Sequence, residues 1–264
     1  MSFIDHLEEL RWAIIRSLVA VGLAAAVVFA FKGFFIDDVI FGPAKSDFIG
    51  YAFLCRLSNW FFLDNSLCFT NALDIQNHRI IGQFMTHFKM SFIAGFILAF
   101  PYVFYEVWKF VRPGLYKNEV TAMRGVVAAS WFFFVLGVLF GYFIILPAAL
   151  HFLYNYILSA SINNLYHLSD YTGYITMATL GAGIMFELPV VIFLLAKLGL
   201  VTPQFLKKYR KHAIIVILIL ASIITPPDVG TQLLIGFPVY LLYELSILVA
   251  HWVVKKDEAT VSNT

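Results

Sequence analysis

The chain has 264 residues, of which 61% are hydrophobic, 17% aromatic and only 13% charged, with a mean hydropathy of +0.84. A soluble domain of this size carries about 25% charged residues, so soluble enzymes, nucleic-acid-binding domains and disordered proteins are excluded and a polytopic membrane protein remains. The 18 basic and 16 acidic residues leave a formal charge of +2, too little to attract a polyanion, so what matters is where each charge falls.

The first segment carries Asp5, Glu8 and Glu9 ahead of its apolar run. It lacks the basic leading region of a cleaved signal peptide, and the first helix is expected to stay. With about 20 residues needed to span a hydrocarbon core of about 30 Å, the sequence predicts an all-α membrane protein of six spans. They cover residues 13–31, 90–108, 125–146, 174–195, 213–224 and 233–254, within a single domain over 1–264. The fifth is short: about 12 residues at 1.5 Å rise cover about 18 Å. It crosses only if Lys207, Lys208, Arg210 and Lys211 snorkel, if it tilts little, or if the bilayer thins.

The connections differ in character. Residues 34–88, with Pro43, Cys55, Trp60, Cys68 and Asp74, are polar enough to form a cap outside the lipid. The connection after the third span opens with Pro147 and holds an apolar run at 151–158, too short to cross and expected as a helix on the protein or at the interface. Thr225-Pro226-Pro227-Asp228-Val229-Gly230 is a helix stop and turn, with Asp228 an ordinary cap for the next helix at Thr231.

Orientation follows from Lys and Arg. Six crossings put Arg11, Arg16, Lys109, Arg112, Lys117, Arg124, Lys197, Lys207, Lys208, Arg210, Lys211, Lys255 and Lys256 on the side of both termini, and Lys32, Lys45, Arg56, Arg79 and Lys89 on the other. Thirteen against five predicts cytoplasmic termini. Cys55 and Cys68, the only two cysteines, then share one outer loop, where they either bridge or stand as two thiols.

Glu187 lies near the middle of the fourth span in Gly183-Ile184-Met185-Phe186-Glu187-Leu188-Pro189. A carboxyl there costs several kcal/mol unless it is protonated, paired or facing water. It is either a protonated glutamate bonded within the bundle or a polar site for a substrate or partner helix, and Pro189 predicts a kink beside it. Glu8 and Glu9 suit the first turn of a helix by its dipole alone. Glu119 is an acid in an otherwise basic connection, and with Glu9 it makes two acids on a basic face, able to receive a cationic segment. Glu106 and Glu244 lie near helix ends within reach of headgroups. The histidines show no metal spacing, and no nucleophile elbow, HExxH or P-loop is present, so an intramembrane hydrolase has no visible catalytic group.

Four segments resemble the TatC family, the polytopic core of the twin-arginine protein translocase. They are His6-Leu7-Glu8-Glu9-Leu10-Arg11, the run from Tyr105 through Phe110-Val111-Arg112-Pro113-Gly114-Leu115 to Glu119, Phe186-Glu187-Leu188-Pro189, and Thr225-Pro226-Pro227-Asp228 followed by Gln232. The resemblance covers nearly the whole chain. It implies a glove-shaped six-helix bundle in the bacterial inner membrane, with cytoplasmic termini and two short final helices. It also implies recognition of twin-arginine signal peptides on folded cargo, assembly with TatA and often TatB into an oligomeric complex, and transport driven by the proton-motive force, without cofactor, metal or nucleic acid. Carried over by motif, Glu9 and Glu119 would bind the arginines, with Arg11 and Phe110 shaping that site. Glu187 would line the concave membrane face, Thr225 and Gln232 would help seat a partner helix, and Pro43 and Asp228 would hold outer-side structure. Three departures stand out. Trp12 and Ala13 replace the second basic residue usual after Arg11, with Arg16 further inside; the outer loop is long for the family; and Glu106 stands where relatives often have an uncharged polar residue, adding negative charge to the site or pairing with Lys109 or Lys117. The alternative from the residues alone is a proton-coupled solute transporter using Glu187 as a relay.

Overall fold

A computed structural model describes residues 3–60, 68, 72–111, 122–159, 161, 164–225 and 228–261. Helix α1 spans Phe3–Ala30, α2 Ile49–Trp60, α3 Gly82–Val111 and α4 Ala122–Phe140. A π turn at Gly141–Ile145 carries α4 into α5, Leu146–Asn155, and α6 covers Leu168–Phe186. Helices α7 (Leu188–Lys197), α8 (Pro203–Lys208), α9 (Arg210–Ile224) and α10 (Val229–Val261) follow. Two short strands, β1 (Ile75–Gln76) and β2 (Tyr166–His167), pair in parallel and tie the connection before α3 to the one before α6.

Among the described residues, five segments are long and apolar enough to cross a membrane: His6–Ala30, Gly82–Phe110, Gly125–Asn155, Leu168–Lys197 and Val229–Val254. The chain is a multi-pass membrane protein. Helix α9, with 15 residues, is about 22 Å long and is short as expected. The sixth is not short: α10 runs for 33 residues, which corrects the expectation of two short final helices. Nothing between Val254 and Val261 breaks a helix, so the backbone keeps its hydrogen bonds into water after the apolar stretch ends. For the same reason α1 and α3 begin eight or more residues before the apolar runs that revealed them. Residues 82–88, expected within the outer cap, therefore belong to α3.

Glycines set the helix spacing. A Cβ on Gly95 of α3 would lie 2.6 Å from the Ala25 nitrogen of α1. One on Gly137 of α4 would lie 2.6 Å from the Ala182 carbonyl of α6, and Gly141 meets the Ala178 carbonyl one turn on. This is the small-residue packing that lets helices associate in lipid, where no hydrophobic gain is available. Phe100 and Phe134 stack across the α3–α4 seam at 3.5 Å between ring centroids.

Outside the spans, a π turn at Gly33–Ile40, a 3-10 turn at Gly42–Ala44 and α2 form the cap, and Cys55 and Cys68 are joined by a disulfide. Tyrosine hydroxyls clamp the turns: Tyr51 donates to the Pro43 carbonyl at 2.7 Å, Tyr142 to Val39 at 2.5 Å and Tyr171 to Ile40 at 2.8 Å. Burial pushes the Tyr51 hydroxyl well above its ordinary pKa, so it stays a neutral donor. Pro43 is fully buried at the centre of this clamp. The run at 151–158, expected as a surface helix, is largely α5, which continues the third span.

At the opposite end, His6 stacks on Phe110 at 4.2 Å, and Trp108, Val126 and Val190 share a small core. Helix α7 packs along α10, and Tyr243 donates to the Leu206 carbonyl at 2.8 Å. These contacts bring the start of α1, the end of α3, the start of α4 and the late part of α10 to one face of the bundle.

Candidate functional site

On that face the first turns of α1 and the last turns of α3 enclose an open pocket of about 360 Å³ lined by Glu8, Glu9, Trp12, Ala13, Arg16, Glu106, Lys109 and Phe110. Each side chain is where helix periodicity puts it: residues 9, 12, 13 and 16 recur at intervals of three and four on α1, and 106, 109 and 110 on α3. Glu8 and Glu9 are exposed at the rim, while Glu106 is only 4% exposed. Arg16 closes on Glu106, its Nη2 at 2.8 Å and its Nε at 3.0 Å from the same Oε2. Glu106 was expected to pair with Lys109 or Lys117, or to add negative charge to the site. The partner the fold supplies is Arg16, because α1 and α3 pack side by side. Neither the pairing nor the roles of Glu8, Trp12 and Lys109 follow from sequence spacing, since 90 residues separate Arg16 from Glu106.

Solvated carboxylates beside aromatic faces suit a guanidinium. Rim exposure avoids the cost of burying an ion pair, and Trp12 and Phe110 offer π surfaces to a cation. Arg11 is exposed on α1 and is not among the described residues that line the pocket. Glu119, with the connection from Arg112 to Thr121, lies outside the described residues.

In the bundle, Glu187 is the junction of α6 and α7: its N–H reaches back only three residues, to the Ile184 carbonyl at 3.1 Å, and Pro189 follows in the first turn of α7. The expected break therefore falls beside the carboxyl. Glu187 is 7% exposed and Ser130, on α4, is fully buried. The Ser130 hydroxyl donates to Glu187 Oε1 at 2.9 Å, while Oε2 is buried with no hydrogen-bond partner among the described residues. A serine in an apolar span was the signal for this contact, but its partner is set by tertiary packing alone.

Thr225 and Asp228 close the ends of α9 and α10 at the turn between them, and Gln232 ties the short α9 to α10. Thr225 donates to the Ala221 carbonyl at 2.9 Å, Gln232 Nε2 donates to Leu218 at 2.9 Å, and Asp228 Oδ2 accepts the Thr231 N–H at 2.8 Å as a helix cap. At the other end of α9, Arg210 Nη2 lies 2.7 Å from Glu244 Oε2, and Tyr240 donates to Oε1 at 2.9 Å. Glu244, expected near the headgroups, is thus paired across the hairpin. Among the described residues no group of three or more His, Cys, Asp and Glu is placed to hold a metal.

Comparison with known proteins agrees with this architecture. The profile of the family "Sec-independent protein translocase protein (TatC)" matches residues 5–238. The TatC protein of Blattabacterium sp. subsp. Periplaneta americana is 43% identical over 97% of both chains, and that of Desulforapulum autotrophicum is 36% identical over 97% of this chain and 87% of its own. A crystal structure of the twin-arginine translocase receptor TatC in DDM superposes with a TM-score of 0.72 at 29% identity, covering 93% of this chain and 99% of that one. Fold, length and sequence agree throughout, and the chain belongs to the TatC family of Sec-independent protein translocase proteins.

Proposed function

We propose that this protein is the receptor subunit of a twin-arginine translocase in a bacterial inner membrane, with both termini in the cytoplasm. It binds the consecutive arginines of signal peptides on folded cargo and assembles with TatA, and with TatB where present, for export driven by the proton-motive force. The observation that carries this reading is the pocket between α1 and α3, where Glu8 and Glu9 stand exposed next to Trp12 and Phe110. It lies on the face to which the charge asymmetry assigns the cytoplasm. Glu9 and Glu119 are the carboxylates assigned to the two guanidiniums; a planar bidentate donor fits such a pair where lysine's point charge does not. Arg11 and Phe110 shape the approach. Glu187, whose Oε2 has no partner among the described residues, is assigned to a polar contact with a partner helix, and Thr225 and Gln232 hold the surface on which that helix rests. Pro43 and Asp228 keep the outer side in shape. The relatives are named for protein translocation, which favours this reading over a solute transporter built on Glu187.

The test is binding of a twin-arginine peptide to the purified protein against its twin-lysine version, repeated with Glu9→Ala and Glu119→Ala. Preference for arginine that is lost in both variants is expected. Equal affinity for the two peptides in the unaltered protein would sink the assignment.

A further inference from the structure

We propose that Arg16 and Glu106 form an internal strut that sets the width of the α1–α3 pocket, making them positioning residues for the peptide rather than ligands of it. The inference rests on the receptor reading above for its binding readout and on geometry for its content. Among the described residues that line the pocket, Glu106 is the only buried carboxylate, and its Oε2 already receives two N–H groups from one guanidinium. Arg16 is part exposed at 41% while the Glu106 side chain is 5% exposed, so the acid is the anchored end and the arginine reaches across to it. Glu9 and Trp12 lie on the same helix as Arg16, and Lys109 and Phe110 on the same helix as Glu106. Any change in the gap between positions 16 and 106 is therefore transmitted to the rim that holds the peptide.

The pair also settles the charge of the pocket. Glu106 is neutralised from within, leaving the exposed Glu8 and Glu9 to face an incoming cation. Removing Arg16 strands a buried carboxylate, and removing Glu106 leaves an unpaired guanidinium in the pocket to repel an incoming cation, whereas removing both leaves neither. The two single variants should therefore be worse than the double.

The experiment uses the full chain in lipid nanodiscs with Arg16→Gln, Glu106→Gln, the neutral pair R16Q/E106Q and the exchanged pair R16E/E106R. Spin labels at Ile15→Cys and Val107→Cys, exposed and outside the pocket lining, report the α1–α3 distance without peptide. Each single variant should broaden that distance distribution and weaken twin-arginine peptide binding about tenfold or more. Either paired variant should narrow the distribution and recover most of the affinity, so the neutral pair suffices if the exchanged pair does not fold. Weak binding that persists in a paired variant with a narrow distribution would make Glu106 a direct ligand and overturn the proposal, as would single variants indistinguishable from the unaltered protein. Should the unaltered protein fail to prefer arginine over lysine, the receptor reading falls, while the distance measurement still decides the strut.

Discussion

Removing the Ser130 hydroxyl tests whether Glu187 is held by the bundle or merely tolerated in it. In the native protein, Oε1 has the 2.9 Å bond from Ser130, and Oε2 has no partner among the described residues. Interhelical hydrogen bonds in lipid are worth about 0.6 kcal/mol on average and up to about 1.7. Ser130→Ala does more than delete that bond, because it strands the whole carboxyl in a buried seam, where an unpaired polar group costs about 1–3 kcal/mol. Glu187→Leu instead removes the group that needs a partner. The freed Ser130 hydroxyl can then turn to its own helix carbonyl one turn back. The cycle is therefore expected to be strongly non-additive: Ser130→Ala costs about 1–3 kcal/mol in the native background and under about 0.5 kcal/mol beside Glu187→Leu, a coupling well above the scatter of independent sites. Unfolding of the four proteins in mixed micelles by SDS titration, followed by tryptophan fluorescence, measures it. Equal costs of Ser130→Ala in both backgrounds would refute the reasoning and leave the contact without energetic content.

Three further outcomes follow from the packing. Gly137→Val forces a side chain into the Ala182 carbonyl and should cost about 1–3 kcal/mol by overpacking, whereas Gly173→Val, with nothing within 4 Å of its Cβ, should be near neutral; thermal unfolding in detergent separates them. Reduction of the Cys55–Cys68 bridge, whose cysteines are 13 residues apart, should remove about 3 kcal/mol of loop-closure stabilisation from the cap. It should appear as faster proteolysis of the cap, with a thiol reagent labelling the protein only after reduction. Asp228→Ala loses the cap bond to Thr231 and should cost about 1 kcal/mol, with Asp228→Asn retaining most of it, again read by thermal unfolding.

The architecture was legible in the sequence because lipid enforces it. A hydrocarbon core demands apolar runs of a minimum length with satisfied backbone groups, so the runs already imply an all-helical polytopic bundle. The shortness of α9, the cap at Asp228 and the break at Glu187 were readable for the same local reason, each being set by a proline or a side chain within one turn. Helix ends were not, because an apolar run marks where lipid stops and not where the helix does. Hence α10 runs to Val261 and α1 starts at Phe3.

The candidate residues divide along the same line. Residue type, charge and motif order pointed to Glu9, Glu119 and Glu187 as polar groups needing an explanation, and composition alone excluded a soluble protein. Which atoms Glu187 and the other paired acids meet was decided only by the tertiary structure. The Arg16–Glu106 pair, the Ser130–Glu187 bond and the Arg210–Glu244 pair join residues 90, 57 and 34 positions apart. Such pairings depend on which helices lie side by side and at what rotation, and glycine contacts such as Gly95 on Ala25 and Gly137 on Ala182 fix both. Hydropathy and spacing carry no record of rotation about a helix axis, so the sequence determined what had to be buried and the packing decided against what.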